Sequence, residues 1–292
     1  MPSPCVIGRL AGGLGNQLFM YAFAKALAVR NNVPLLLDTR SGFARDRNYR
    51  RSYLLDYLIP QEQHASILQS HAWPLIGRAL QSLDRKRNAH RPLAERDYLR
   101  ERSTDFDAEI YRLPIRRPVI VDGYWQSPQY FDDLPLRELI RFPEALTRPL
   151  SAELDHIRGS RTPVCLAVRR YEEIPKIKRP IHILDADYYQ RAMVRLEDRV
   201  ENPHYFVFAQ DMKWAKDNIQ SAHPVSFASE KDPDVGAIQD LYLMTQCQHY
   251  ILSNSTLHWW GAWLNSSTCN TVIAPSEGWT SKDTLPGTWL TI

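Results

Sequence analysis

The sequence predicts an α/β protein of two halves, each built on a parallel β-sheet. The chain opens with a strand at Val6–Arg9, a glycine-containing turn, a helical pattern and a second strand at Pro34–Asp38, and this order produces a parallel sheet. Beyond residues 158–162 the same alternation of strands and helices returns. A length of 292 residues exceeds the usual domain of ~100–150 residues, so we expect two hydrophobic cores.

One helix and few further elements can be assigned in the first half. The apolar residues after the turn recur three and four positions apart, as on a helix with one buried face; they are Leu18, Phe19, Ala22, Phe23, Ala26 and Leu27. Pro118–Gly123 is typical of a strand, and Ser151–Arg158 of a helix. Residues 40–116 are rich in arginine, are interrupted by prolines and show no clear period.

The second half alternates regularly between strands and helices. The predicted strands are Val164–Val168, Tyr205–Ala209, Tyr250–Leu252 and Thr271–Ala274, and the predicted helices are Asp187–Val200, Met212–Ile219, Val235–Gln246 and Leu257–Leu264. We place the domain boundary after residue 158, which gives domains 1–158 and 159–292.

Composition and charge exclude several classes of protein. With 44% apolar and 24% charged residues, the chain is not a disordered, collagen-like or disulfide-scaffold protein. A net charge of +3 excludes a dedicated nucleic-acid binder. The segment Asp84–Arg102 holds seven basic and four acidic residues, so it accounts for the whole excess. This segment is interpreted either as a solvated insertion with internal ion pairs or as a surface that contacts an anionic membrane or a lipid-linked acceptor.

Cysteine usage and the absence of targeting signals favour a cytoplasmic protein, peripheral to the inner membrane face if the basic segment contacts lipid. The N-terminal residues show no signal-peptide pattern, and no stretch approaches the ~20 apolar residues of a membrane span. The four cysteines form no C-x-x-C pair, and we expect them to be reduced and buried; they are Cys5, Cys165, Cys247 and Cys269.

The first candidate site is the glycine loop Gly12–Gln17, between the first strand and the first helix. Gly13 and Gly15 allow a ligand close to the backbone, and the helix N-terminus offers N–H groups to an anion. The amides of Asn16 and Gln17 are unusual in a pure phosphate loop. The alternative is a tight structural turn with a polar helix cap.

The same opening also resembles the start of a nicotinamide-dinucleotide site. Asp38 ends the second strand, where an acid would bind the ribose. However, Leu18 stands where the third glycine of G-x-G-x-x-G is required, which disfavours an NAD-dependent oxidoreductase.

The second candidate site is Arg169-Arg170, directly after a predicted strand. The carboxyl ends of parallel strands are where open α/β sheets bind ligands, and arginine keeps its charge and matches phosphate oxygens bidentately. We expect at most one of the two arginines to contact a ligand. An ion pair between an arginine and Glu172 is the structural alternative.

The third candidate site is Ser253-Asn254-Ser255-Thr256, which leads from a strand into an aromatic helix. Hydroxyl and amide donors at a helix N-terminus suit a phosphate group. The tryptophans that follow are expected in the core, and His258 is expected as a packing or supporting residue. Together with the glycine loop, this pattern predicts a nucleotide-diphosphate site between the halves.

No metal site or cofactor is expected from the sequence. Asp185-Ala186-Asp187 matches D-x-D, but it precedes a helix and is better interpreted as an N-cap.

Five stretches resemble the bacterial α-1,2-fucosyltransferases of glycosyltransferase family 11. They are Gly12–Ala22, Leu184–Tyr189, Phe206–Trp214, Asp240–Met244 and Ser253–Asn265. The resemblance implies a GT-B fold of two Rossmann-like domains facing a cleft, with an acceptor-side domain at 1–158 and a GDP-sugar-binding domain at 159–292. It implies metal-independent, inverting transfer of L-fucose from GDP-fucose to O-2 of a galactose-type residue, in O-antigen or other surface-glycan assembly.

The resemblance also assigns roles to residues. It places Arg169 on the β-phosphate of GDP, with Arg170, Gly13 and Gly15 also on the donor side, and Asp211 on guanine. The phosphates are assigned to Ser253, Asn254, Ser255 and Thr256. Asn16 and Gln17 are expected to reach the transferred sugar from the opposite domain.

One departure from the family pattern leaves the donor sugar open. The family motif H-x-R-R-x-D reads here with Ala167 and Glu172 in place of its histidine and aspartate. Another GDP-deoxyhexose as donor, and a non-catalytic protein that binds GDP-sugar or glycan, are therefore alternatives. The general base is not identified among Glu172, Asp38 and His258, and the acceptor and the oligomeric state stay open.

Overall fold

The chain forms two compact units. The structure, a computed structural model, describes residues 3–46, 50–70, 77–170, 183–265, 267 and 269–292. The first unit comprises Met1–Arg141 with Thr280–Thr284, and the second comprises Phe142–Trp279 with Leu285–Ile292. The segment Thr280–Thr284 is held in the first unit by Asp105, which accepts hydrogen bonds from the Ser281 hydroxyl (3.1 Å) and the Lys282 amide (3.3 Å).

The first unit is built on a parallel five-stranded sheet with the order β3-β2-β1-β5-β4. Its strands are β1 (Val6–Arg9), β2 (Leu35–Asp38), β3 (Gln63–His64), β4 (Tyr98–Arg100) and β5 (Val119–Asp122). Its helices are α1 (Leu14–Arg30), α2 (Ile67–Ser70), α3 (Gly77–Ala89), α4 (Ala108–Tyr111) and α5 (Leu136–Leu139), with 3₁₀ turns at Phe43–Arg45, Leu55–Tyr57, Leu93–Glu95 and Pro128–Tyr130.

The second unit is built on a parallel six-stranded sheet with the order β11-β10-β9-β6-β7-β8. Its strands are β6 (Pro163–Val168), β7 (His204–Ala209), β8 (Val225–Phe227), β9 (His249–Ile251), β10 (Val272–Ala274) and β11 (Leu290–Thr291). Its helices are α6 (Glu144–Thr147), α7 (Ser151–Gly159), α8 (Ala186–Glu197), α9 (Met212–Asn218), α10 (Gly236–Thr245) and α11 (Thr256–Trp263), with a 3₁₀ turn at Arg148–Leu150. The predicted α/β class, with a parallel sheet in each half, is confirmed.

Helix α1 lies against the first sheet because its apolar positions are buried. The six residues that predicted this helix are fully buried. Gly8 of β1 permits the close approach, since a Cβ at this position would lie 2.9 Å from Cβ of Ala24. The N-terminus of α1 is thereby fixed at the carboxyl edge of the sheet, directly after β1.

The boundary between the compact units lies after Arg141, earlier than the predicted 158. Helix α7 belongs to the second unit because its side chains pack there. Glu153 pairs with Lys231 at 2.5 Å, and the ring of His156 lies 5.2 Å from that of Phe206.

The basic segment Asp84–Arg102, predicted as an insertion, includes the end of α3 and strand β4 of the first sheet. Most of its arginines form ion pairs. Arg85 pairs with Asp122 (3.0 Å), and Arg87 and Arg91 pair with Asp97 (2.5 and 3.5 Å). These contacts favour the interpretation with internal ion pairs, and contact with a membrane stays a prediction.

Two further features bear on the sequence predictions. Among the described residues, no helix is long and apolar enough to cross a bilayer. The four cysteines are free thiols; Cys5, Cys165 and Cys247 are buried as expected, whereas Cys269 is exposed.

Candidate functional site

Three loops of the second unit lie at one edge of its sheet. Strands β9, β6 and β7 are neighbours and parallel, so the residues after their carboxyl ends come together. These residues are Leu252–Ser255 after β9, Arg169 and Arg170 after β6, and Gln210 and Asp211 after β7. Their position is the one where open parallel sheets bind ligands.

The two arginines differ in their surroundings. The guanidinium of Arg170 lies over the ring of Trp214, 4.4 Å from its centroid, in a cation–π contact. Arg169 is partly buried, its backbone N–H donates to the Tyr189 hydroxyl at 3.4 Å, and its charge acts on His258. Arg169 is therefore the arginine associated with the loop after β9.

That loop is held by buried side chains. The Tyr188 hydroxyl donates to the carbonyl of Leu252 at 2.6 Å. Ser253 is fully buried, and its Oγ lies 2.7 Å from Nδ1 of His258. Ser253 thus supports the loop from within, while Ser255 and Thr256 are only partly buried. Of the four predicted phosphate-binding residues, these two are the most accessible.

His258 is neutral over the physiological pH range. Burial, reinforced by the positive charge of Arg169, lowers the pKa of this imidazole to about 3. A neutral imidazole can hold the Ser253 hydroxyl without adding a second positive charge beside Arg169. The same low pKa makes His258 a poor general base.

The N-terminus of α11 has two features that favour an anion. Its N-cap, Ser255, makes no side-chain capping hydrogen bond, and the first turn contains no acidic residue. The loop before it is packed tightly: Gly278 has φ +86°, and a Cβ there would lie 2.2 Å from Nδ2 of Asn254. A helix N-terminus without acidic residues, close to the positive charge of Arg169, has the electrostatics that suit an anion.

Asp211 is exposed at the same edge. Its Oδ1 accepts from the backbone N–H of Trp214 at 2.9 Å, which caps α9 and fixes the carboxylate.

In the first unit, the glycine loop is a tight turn, and the side-chain amides of Gln17 and Asn16 differ in burial and in their partners. Gly12 has φ +75°, and a Cβ at Gly13 would have no atom within 4 Å. Gln17 is fully buried; its Nε2 donates to the carbonyls of Gly12 and Ser52 (both 2.9 Å), and its Oε1 accepts from the N–H of Leu54 (3.0 Å). Gln17 therefore supports the loop, and we no longer expect it at a sugar.

Asn16 is partly buried and lies at the edge of the loop. Its Oδ1 accepts from Nε2 of Gln126 at 3.0 Å, and Gln126 follows β5. The hydrogen bond joins the loops after the neighbouring strands β1 and β5.

Asp38 is 1% exposed and is occupied by its own turn. It accepts from the backbone N–H groups of Arg40 (3.1 Å) and Ser41 (3.0 Å) and from the Ser41 hydroxyl. The sequence analysis considered Asp38 as a ribose ligand and as a general base. This buried, fully engaged environment fits neither role. Beside it, Arg9 pairs with Asp122 at 2.7 Å.

Glu172, the potential metal ligands and Asp185 complete the residues considered in the sequence analysis. Glu172 lies outside the described residues. In the described part of the chain, no group of three or more His, Cys, Asp or Glu side chains could hold a metal ion. Asp185 caps α8 by accepting from the Tyr188 N–H at 3.0 Å, as its position before a helix predicted.

Sequence reasoning did not identify the residues that support the site. Tyr188 and Trp214 were assigned only to packing or to a family motif, although a buried tyrosine hydroxyl needs a polar partner. Gly278 and Gln126 lie just after strands, where an isolated glycine or amide is a weak signal.

The sequence profile of glycosyl transferase family 11 matches residues 6–283. This chain belongs to that family. An α-1,2-colitosyltransferase from Escherichia coli is 30% identical, over 98% of both chains. An O-antigen biosynthesis glycosyltransferase from the same species is 26% identical, over 92% of this chain and 93% of the relative. Human galactoside α-(1,2)-fucosyltransferase 1 is 26% identical over 87% of this chain and 63% of its own length.

Solved structures agree with the fold. The α-1,6-fucosyltransferase NodZ, co-crystallised with GDP, aligns with a TM-score of 0.57 at 15% identity, over 90% of this chain and 93% of NodZ. The protein is a glycosyltransferase, and its two parallel-sheet units confirm the predicted GT-B type.

Proposed function

We propose that this protein transfers a deoxyhexose from its GDP-linked donor to a hydroxyl of a surface glycan. The observation that carries the proposal is that the charge of Arg169 reaches His258 in the first turn of α11, a turn that contains no acidic residue. A leaving GDP develops negative charge on its β-phosphate, and fixed positive groups at this position stabilise that charge. NodZ, which shares the fold, was co-crystallised with GDP and, in another structure, soaked with GDP-fucose.

The proposed donor site assigns each part of GDP to particular groups. Arg169 holds the β-phosphate, and the hydroxyls of Ser255 and Thr256 with the first N–H groups of α11 hold the remaining phosphate oxygens. The exposed carboxylate of Asp211 accepts the N–H groups of guanine. Arg170, fixed over Trp214, adds positive charge to the same edge.

The chemistry follows from this assignment. As the bond to GDP breaks, the sugar acquires positive charge at its anomeric carbon, and the acceptor hydroxyl attacks from the opposite face with inversion. Arginine and a helix N-terminus take the place of a metal in stabilising the leaving group, so we propose metal-independent transfer. Asp38 and His258 are both unsuited as the general base. Of the three candidates we therefore propose Glu172 as the group that takes the proton of the acceptor hydroxyl.

Two donor sugars are supported, each by a separate observation. Relatives named as galactoside α-(1,2)-fucosyltransferases support L-fucose, transferred to O-2 of a galactose-type residue. The relative that is 30% identical over nearly the whole chain is named as an α-1,2-colitosyltransferase, which supports colitose. Colitose lacks one ring hydroxyl that fucose carries. GDP-colitose is therefore the second candidate donor, and an O-antigen repeat is the proposed acceptor source for both.

Thermal unfolding with GDP, GDP-fucose, GDP-colitose and GDP-mannose tests the donor. A ligand that binds only the folded state raises the melting temperature by mass action, without an acceptor. We expect GDP-fucose or GDP-colitose to give the largest increase. ADP-glucose serves as a control with the wrong base.

Transfer is then measured with the better donor and a panel of β-galactosides, by mass spectrometry of the product and by release of GDP. NMR of the product gives the linkage and the anomeric configuration. Binding of donors without transfer to any galactoside would contradict the enzymatic proposal and favour a non-catalytic binding protein. A retained anomeric configuration would contradict inversion.

A further inference from the structure

The turn after β5, Gly123–Ser127, has a strained backbone that the proposed diphosphate site does not use. Trp125 has φ +54°, a conformation that a bulky side chain rarely adopts. Such a residue persists only where the surroundings hold it in place, and it is found preferentially at functional sites.

Two sets of contacts hold the turn. The carboxylate of Glu101 accepts from the backbone N–H groups of Tyr124 (2.7 Å) and Trp125 (2.8 Å). The ring of Trp125 is buried and stacks on Phe23 of α1, with 4.0 Å between centroids. A Cβ at Gly123 would lie 2.3 Å from Cβ of Glu101, so the carboxylate can approach only because this residue is glycine. The turn is therefore rigid.

The rigid turn presents one aromatic side chain to solvent. Tyr124 is 44% exposed, although the residues on either side of it are held by the contacts above. Gln126 is buried (4% exposed) and donates a hydrogen bond to Asn16, so it joins the turn to the glycine loop from within. Asn16 is partly buried at the carboxyl edge of the sheet. On this surface Gly13 leaves open space, because no atom lies within 4 Å of the position that its side chain would take.

The charges of this surface favour a neutral ligand. Burial, and after it the negative charges of Glu101 and Asp122, raise the pKa of the Tyr124 phenol. Asp122 already binds two guanidinium groups, that of Arg9 at 2.7 Å and that of Arg85 at 3.0 Å. Guanidinium groups that are engaged by a carboxylate are less available to a phosphate, whereas an amide such as that of Asn16 accepts and donates hydrogen bonds to hydroxyl groups.

We propose that the surface formed by Tyr124 and Asn16 binds the acceptor sugar, a neutral hexose rich in hydroxyl groups. The exposed ring of Tyr124 packs on the apolar C–H face of the sugar, and the amide of Asn16, held by the buried Gln126, bonds to its hydroxyls. Glu101 is a positioning residue, since it acts through the backbone of the turn. This inference rests on the proposed function and names the acceptor subsite of the same enzyme.

The test measures acceptor binding apart from donor chemistry. Acceptor KM is determined at saturating donor, and binding of methyl β-galactoside in the presence of GDP is measured by saturation-transfer NMR. We expect Tyr124→Ala to raise the acceptor KM about tenfold, the equivalent of about 1.4 kcal/mol, and to weaken the NMR signal. Donor KM, GDP affinity and hydrolysis of the donor without acceptor stay at wild-type values.

Two further variants control the result. Tyr124→Phe keeps the ring and retains an acceptor KM within about twofold of wild type, because stacking needs no hydroxyl. Tyr57→Ala removes another exposed tyrosine of the same unit, 46% exposed, and leaves acceptor KM unchanged.

Three outcomes overturn the proposal. They are an unchanged acceptor KM in Tyr124→Ala, an equal loss in Tyr57→Ala, and a loss of GDP affinity that parallels the loss of acceptor binding. The NMR arm separates this proposal from the proposed function. If no donor supports transfer, galactoside binding that Tyr124→Ala weakens still supports the subsite, whereas a wild-type protein that binds no galactoside contradicts it.

Discussion

The carboxyl edges of the two sheets have the same architecture and opposite chemistry. In the second unit, Arg169 and the N-terminus of α11 lie beside a histidine that is held neutral, and no acid competes for them in the first helical turn. In the first unit, the strand ends carry Asp38 and Asp122, whose charges are bound by neighbouring groups, and beside them lie the partly buried Asn16 and the exposed Tyr124. One edge suits an anion and the other a neutral polyol.

Parallel sheets of similar topology can present different chemistry at the same edge. Topology brings the loops to one edge in both units. The side chains at the strand ends then decide whether a guanidinium remains available to a ligand or is consumed by a carboxylate. Arg9 ends the central strand β1 and is paired with Asp122 at 2.7 Å, whereas Arg169 follows the central strand β6 and lies near the N-terminus of α11.

The largest expected effect comes from Arg169. We predict that Arg169→Ala lowers kcat/KM for transfer about 1,000-fold, since the leaving diphosphate loses its fixed charge. Arg169→Lys keeps the charge without the bidentate fork and recovers part of the activity. Steady-state release of GDP measures both.

The matched control is Arg195→Ala, which removes an exposed arginine of the same unit, paired with Asp198 at 3.7 Å. It should leave kcat/KM unchanged. Full activity in Arg169→Ala would contradict the proposal that the sheet edge of the second unit binds the leaving diphosphate through Arg169.

The next largest effect concerns His258 and is seen in the pH dependence of the free energy of unfolding. The pKa of His258 is about 3 in the folded state, below its ordinary 6.5, so the unfolded chain binds more protons between these values. The contribution of His258 to the free energy of unfolding is therefore fully present above pH 6.5 and is lost as the pH falls toward 3. This loss amounts to about 3 kcal/mol between pH 7 and pH 4.

His258→Asn should lack this contribution to the pH dependence, as measured by urea unfolding at pH 7 and pH 4. The exposed His90 gives the control variant His90→Asn, which should follow the wild type. If His258→Asn loses as much stability between the two pH values as the wild type does, His258 is not neutral for the reason given.

A smaller effect separates the two amides of the glycine loop. Gln17→Ala should lower the free energy of unfolding by about 2 kcal/mol, because three backbone groups lose their partner. Asn16→Ala should change stability little and raise the acceptor KM. The reverse pattern, an unstable Asn16→Ala and a stable Gln17→Ala, would contradict the assignment.

No effect is expected from removal of metal ions. Transfer by protein treated with EDTA should match that of untreated protein, since Arg169 and α11 stabilise the leaving group. Loss of activity that Mn²⁺ or Mg²⁺ restores would show that the donor edge needs a cation that the proposal does not include.

Much of the fold could be predicted because local patterns agree with tertiary structure. The apolar period of α1 and the regular alternation after β6 reflect buried faces, which propensity and packing favour together. Strand β4 was missed, since its three residues include an arginine and lie within the charged segment Asp84–Arg102. Its stability comes from pairing with β5, which no local pattern reveals.

The candidate site was predictable at the level of loops and less so at the level of atoms. Arg169 and the loop after β9 were found because polar residues after strands are conspicuous. The sequence could not show that Ser253 and Gln17 face inward, because their orientation depends on distant partners, His258 within α11 and Ser52 across a loop. Nor could it identify Tyr124, whose exposure depends on the contacts of Glu101 with the turn.

The central claim, that the second unit alone provides the anion site, is tested most directly by calorimetric titration of GDP. The proteins compared are the wild type, Arg169→Ala and Tyr124→Ala, all at one salt concentration. The predicted result is a GDP Kd that rises about 100-fold or more in Arg169→Ala and is unchanged in Tyr124→Ala. Equal GDP affinity in Arg169→Ala and the wild type would contradict the account.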